Sequence, residues 1–108
     1  ELKHGTISLI EEGTPVVAIV TDPKVAEKTI SNIKEVKARG AYVVLVISSD
    51  LDDSFDWCDQ KIVIPEVSSI LMPLVTILPL QMLAYDIALN KGCDIDQPRN
   101  LAKSVTVE

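Results

Sequence analysis

The chain alternates between short runs that are apolar throughout and longer stretches that carry a single apolar stripe. Thr14 to Thr21, TPVVAIVT, is a continuous apolar run bounded by Gly13 and by Asp22-Pro23. A strand covered on both faces needs such a run, and the β-branched content fits a buried parallel strand. In the next stretch, PKVAEKTISNIKEVKARG, Val25, Ala26, Ile30, Ile33 and Val36 fall on one helical stripe. Asp22 is the expected N-cap with Pro23 at the first helical position, and Gly40 the expected C′ residue after Arg39. Ala41 to Ser48, AYVVLVIS, reads as a second buried strand. Ser49 to Gln60 is acidic and polar, which predicts a loop or a short helical turn. Lys61 to Pro65, KIVIP, is a third strand, short and stopped by its proline.

A long apolar segment follows and predicts a helix from about Ser69 to Lys91, ended by Gly92. Pro79 is expected to kink it or to divide it in two. Gln81, Tyr85 and Asp86 share its more polar side, with Leu80, Leu83, Ala84, Ile87 and Ala88 expected to be buried. From Val67 to Tyr85 there is no charge, and the length approaches that of a membrane-spanning helix. Two prolines, the polar Ser68, Ser69, Thr76 and Gln81, and flanks poor in Lys and Arg favour a buried or interface helix instead. No membrane is therefore expected.

The order is strand, helix, strand, loop, strand, helix, tail. Alternating elements with all-apolar strands predict an α/β fold, a three-layer doubly wound parallel sheet with helices placed on both faces by right-handed crossovers. The second helix is apolar nearly all round, so a partner subdomain or subunit is expected to cover what the sheet does not.

Composition narrows the function. At 108 residues and 47% apolar content the chain makes one domain with a genuine core. A net charge of −6, with ten Lys and Arg scattered along the chain, disfavours a nucleic-acid partner. Cys58 and Cys93 form no CxxC and His4 is the one histidine, so no metal site is expected and both thiols are expected to be free in a reducing cytoplasm. The four glycines make neither GxGxxG nor a P-loop; no nucleotide fingerprint and no cofactor follow. The chain has no signal peptide, and its abrupt start without Met suggests a piece of a longer protein.

Two side chains could carry chemistry. His4 sits beside Gly5 and is either a capping or surface histidine or a proton shuttle that titrates near neutral pH. Lys103 is either a solvated surface charge or a Schiff-base nucleophile. The second role needs a neutral amine, and free lysine has a pKa of about 10.4, so burial or a nearby cation must lower it. Leu101-Ala102 and Val105-Val107 flank it with apolar side chains.

Three stretches together carry a resemblance. ELKHG at Glu1 to Gly5, PLQMLAYDIAL at Pro79 to Leu89 and DQPRNLAKSVTVE at Asp96 to Glu108 closely resemble the carboxyl-terminal region of the glucosamine-6-phosphate synthase family, also called glutamine–fructose-6-phosphate aminotransferase (isomerizing). The resemblance covers essentially the whole chain. It implies a parent with an amino-terminal glutaminase domain and two sugar-isomerase (SIS) subdomains. Residues 1–95 would be the second SIS subdomain and residues 96–108 an active-site tail. The implied reaction converts fructose-6-phosphate and glutamine to glucosamine-6-phosphate and glutamate, in a cytoplasmic homodimer.

Residue roles follow by match to the family. Lys103 resembles the lysine that forms the Schiff base with C2 of fructose-6-phosphate. His4 resembles the histidine that assists ring opening in the neighbouring subunit's site. Ala102 lies where the tail backbone meets the sugar, and Leu101, Ala102 and Val105 where the tail lines the route for ammonia. Thr6 and Ser8 depart from the Pro and Ala of many relatives but touch none of these roles. The family's enolisation base with its supporting lysine, its Ser/Thr-rich phosphate loop and its glutaminase cysteine all fall outside this sequence. Cys58 and Cys93 take no such part, and the chain alone is expected to be inactive. Two further readings are a stand-alone SIS module that binds sugar phosphates and a dimerisation domain.

Overall fold

Tyr42–Ser48 forms the central strand of the sheet, and its composition explains why. The run YVVLVIS has two covered faces, and Val43, Leu45, Val46, Ile47 and Ser48 are all buried. The computed structural model describes residues 4–97. These fall into two units, one running through Thr76 and the other beginning at Ile77.

In the first unit, β1 (Pro15–Val20), β2 (Tyr42–Ser48) and β3 (Gln60–Ile64) make a parallel sheet in the order β1-β2-β3. Helix α1 (Ala26–Ala38) joins the first two strands. The α/β class and the parallel sheet are as the sequence predicts. Strand order is sequential, so the change of direction that marks double winding does not fall among the described strands.

Register fixes which side chains meet. Val20 pairs with Ile47, Ala18 with Leu45 and Val16 with Val43, so these six share one face. Ile33 and Val36 of α1 and Ile7 of the entering segment complete the core there. On the opposite face Val46, Ser48 and Ile64 are buried, whereas Val17, Ile19 and Tyr42 are each 42% exposed. The hydroxyl of Ser48 is bonded to the Asp50 carboxylate, and no buried side-chain polar atom among the described residues is left without a partner. Such pairing is what a buried hydroxyl requires.

Helix ends show local chemistry at work. Asp22 acts as a cap, but one turn earlier than a regular helix start. Its Oδ1 accepts the Lys24 N–H at 2.9 Å and its carbonyl accepts the Val25 N–H at 3.2 Å. Val25, at φ −119° and ψ 0°, is the N-cap residue, and α1 proper begins at Ala26. At the far end Gly40 is the C′ residue the sequence predicts. Its N–H bonds the Lys37 carbonyl at 2.9 Å and the Ala41 N–H bonds that of Val36 at 3.4 Å, the paired bonds of a Schellman stop. Its φ of +94° is left-handed, and a Cβ there would also meet the side chain of Glu12.

Helix α2 (Met72–Asn90) starts in the first unit and continues into the second. The Ser68 carbonyl accepts from both Leu71 and Met72, and this turn delays the helix start from the expected Ser69 to Met72. Pro73 sits in the first turn, where a missing N–H costs nothing. Pro79 lies inside the helix, yet α2 runs unbroken, so the expected division into two helices does not occur. Gly92, at φ +66°, closes it with a second Schellman pair: its N–H to Leu89 O at 3.0 Å, and Cys93 N–H to Ala88 O at 2.9 Å.

The expected burial of this helix needs correction. Met72 and Thr76 are buried, but Leu80, Leu83 and Ala88 are only half-buried, and Ala84 and Ile87 are exposed. A helix that is apolar all round needs cover on every side, and a single strand layer can offer cover on one. By length and composition alone it would also be able to cross a membrane.

Candidate functional site

In open parallel α/β sheets, ligands bind outside the carboxyl ends of the strands. Here those ends are Thr21-Asp22 after β1, Ser48 to Asp50 after β2, and Pro65-Glu66 after β3. The last two are tied together. The Ser49 N–H donates to the Ile64 carbonyl at 2.9 Å, and the Ser49 hydroxyl accepts the Glu66 N–H at 3.0 Å. Asp22, Asp50 and Glu66 make this rim acidic.

The acidic stretch between β2 and β3 contains no helix or strand, as its composition predicts, but it is firmly held. Phe55 and Trp57 pack edge to face with ring centroids 5.8 Å apart, and both rest against the core. Lys34 of α1 lies 5.8 Å from the Trp57 ring centroid, within range of a cation–π attraction. Lys37, one turn further along α1, bonds both oxygens of Asp59 at 2.7 Å and the Ala41 carbonyl at 3.2 Å. Asp59 Oδ2 also accepts the Val43 N–H at 2.7 Å. The Lys37 ammonium and then the Val43 amide favour the ionised carboxylate, and they hold the Asp59 pKa below its usual value. On the other side of β3, Lys61 pairs with Asp52 at 2.7 Å, and that carboxylate raises the lysine above its usual value.

Two grooves border this stretch. One is lined by Asp52, Asp53, Asp56, Asp59, Cys58 and Lys61. Four carboxylates face one ammonium that is already paired, so the groove has the wrong sign for a sugar phosphate. The other runs between α1 and the loop, with Ala26, Ile30, Leu51 and Phe55 along it and Lys34 and Glu27 at its rim. Among the described residues no group of three or more His, Cys, Asp or Glu could hold a metal ion.

Of the residues singled out from the sequence, His4 lies within the described chain and is exposed. It leads into a 3-10 turn, Thr6–Leu9, that Ile7 anchors in the core. The turn is closed at Gly5, whose carbonyl accepts the Ser8 N–H at 3.0 Å and the Ser8 hydroxyl at 2.7 Å. Ser8 thus closes a local turn. Leu101, Ala102, Lys103 and Val105 lie outside the described residues. Cys58 and Cys93 are free thiols, and the Cys58 Sγ–H donates to the Phe55 carbonyl at 3.1 Å. The Lys37–Asp59 clamp was not read from the sequence. Its partners are 22 positions apart, and no local pattern announces such a pair.

Fold and rim define a parallel α/β domain of the kind that binds ligands at its strand ends. The chain belongs to the SIS domain family, whose model matches residues 1–91. Over all 108 residues it is 55% identical to the glutamine–fructose-6-phosphate aminotransferase (isomerizing) of Bacillus subtilis, and 54% identical to that of Caldanaerobacter subterraneus. It spans 17% and 18% of those two proteins. Its fold matches the C-terminal domain of glucosamine-fructose-6-phosphate aminotransferase from Francisella tularensis with a TM-score of 0.82 and 35% identity, covering 90% of this chain and 28% of that one. The resemblance read from ELKHG and DQPRNLAKSVTVE is thereby borne out.

Proposed function

We propose that the chain is the second SIS subdomain (1–95) and active-site tail (96–108) of a glutamine–fructose-6-phosphate aminotransferase, and that it brings Lys103 and His4 to the formation of glucosamine-6-phosphate. The observation that carries this reading is identity of 55% along all 108 residues, which includes the tail as well as the SIS match. The glutaminase domain and first SIS subdomain would come from the rest of the parent.

The chemistry assigns each residue a task. Fructose-6-phosphate is largely a closed ring, in which C2 is a hemiketal and no carbonyl is free. Opening it removes a proton from the C2 hydroxyl and delivers one to the ring oxygen. An imidazole, which can accept a proton at one nitrogen and donate one from the other, does both, and this is the task of His4. The neutral Lys103 amine then adds to the C2 carbonyl, and loss of water gives the Schiff base. Leu101, Ala102 and Val105 supply apolar surroundings that favour the neutral amine and keep ammonia from being protonated on its way to the sugar.

Borohydride trapping tests the reading. The full-length parent with fructose-6-phosphate is expected to yield a reduced adduct on the peptide that contains Lys103. Lys103→Arg is expected to yield none and to lower kcat by at least about a thousandfold. An undiminished adduct in the variant would refute the assignment. The chain by itself is expected to form no glucosamine-6-phosphate.

A second reading, contact between subunits, rests on α2. Leu78, Met82, Tyr85 and Leu89 are exposed along it, more apolar surface than a lone helix leaves open to water.

A further inference from the structure

We draw no further inference here: the strongest candidate, the apolar surface that Val17, Ile19 and Tyr42 leave open on the β1 side of the sheet, carries nothing because nothing in the structure shows what covers it.

Discussion

Lys37 and Lys61 hold opposite ends of the β2–β3 connection, and each works through one carboxylate. Asp59 has its pKa lowered by Lys37 and by the Val43 amide. Its contribution to stability is therefore complete above the ordinary carboxylate range and is lost as pH falls through the lower folded value. Thermal unfolding should show Asp59→Asn melting below the parent chain at pH 7, with the gap closing below about pH 4. A gap that stayed constant down to pH 2 would mean the ion pair is not what holds the loop. Lys61 has the opposite sign. Its pKa is raised by Asp52, so its contribution is present below the ordinary lysine value and is lost as pH rises through the higher folded one. The role proposed for Lys103 asks for the opposite: a carboxylate partner keeps an amine charged, whereas a Schiff-base lysine must give up its proton. For His4, replacement by Asn in the full-length parent should lower the rate with fructose-6-phosphate by about 10²- to 10⁴-fold, the usual worth of a positioned acid–base group. An unchanged rate and an unchanged pH profile would remove it from the mechanism.

At the level of elements, the two faces of the sheet make different demands. Leu45 is fully buried at the centre of β2, and Ile19 on the other face is 42% exposed. Leu45→Ala should cost about 2–5 kcal/mol, because a cavity is added to the lost transfer energy. Ile19→Ala should cost under about 1 kcal/mol, since much of its side chain is already in water. Equal effects in a denaturant titration would contradict the assignment of faces. Helix stops allow a similar comparison. Gly40 and Gly92 both have left-handed φ, yet an added Cβ would meet Glu12 at Gly40 and nothing within 4 Å at Gly92. Gly92→Ala should cost about 1 kcal/mol in backbone strain alone. Gly40→Ala should cost more, and the order of the two midpoints is the measurement.

For the whole molecule, the governing fact is the small share of its relatives' length that the chain spans. The chain covers 17% of the Bacillus subtilis protein it resembles, and α2 presents Leu74, Leu78, Met82 and Leu89 to solvent. The 108-residue chain in isolation is expected to self-associate as its concentration rises, read by sedimentation velocity. Leu78→Lys together with Met82→Lys should shift it toward monomer. A monomer at all concentrations without these changes would show that α2 is covered within a single chain.

Much of this protein was legible in its sequence, for identifiable reasons. The runs TPVVAIVT and AYVVLVIS declare parallel strands because a strand meant for cover on both faces is apolar nearly throughout, although the face of β1 that holds Val17 and Ile19 is left half open. Gly40 and Gly92 mark helix ends because few other residues take a left-handed φ. ELKHG and the tail from Asp96 pointed to the family because their residues match it directly. Tertiary structure decided what depends on partners distant in the chain. The true start of α1 falls at Ala26, one turn after Asp22, with Val25 as its N-cap. The continuity of α2 through Pro79 was likewise settled by the structure, where a run of Leu and Ile around the proline stays helical. The clamp of Lys37 on Asp59 exists only once β2 and β3 lie side by side. The exposure of α2 could not be read from its hydropathy, because an apolar pattern states that a helix needs cover and only the fold states whether cover is there.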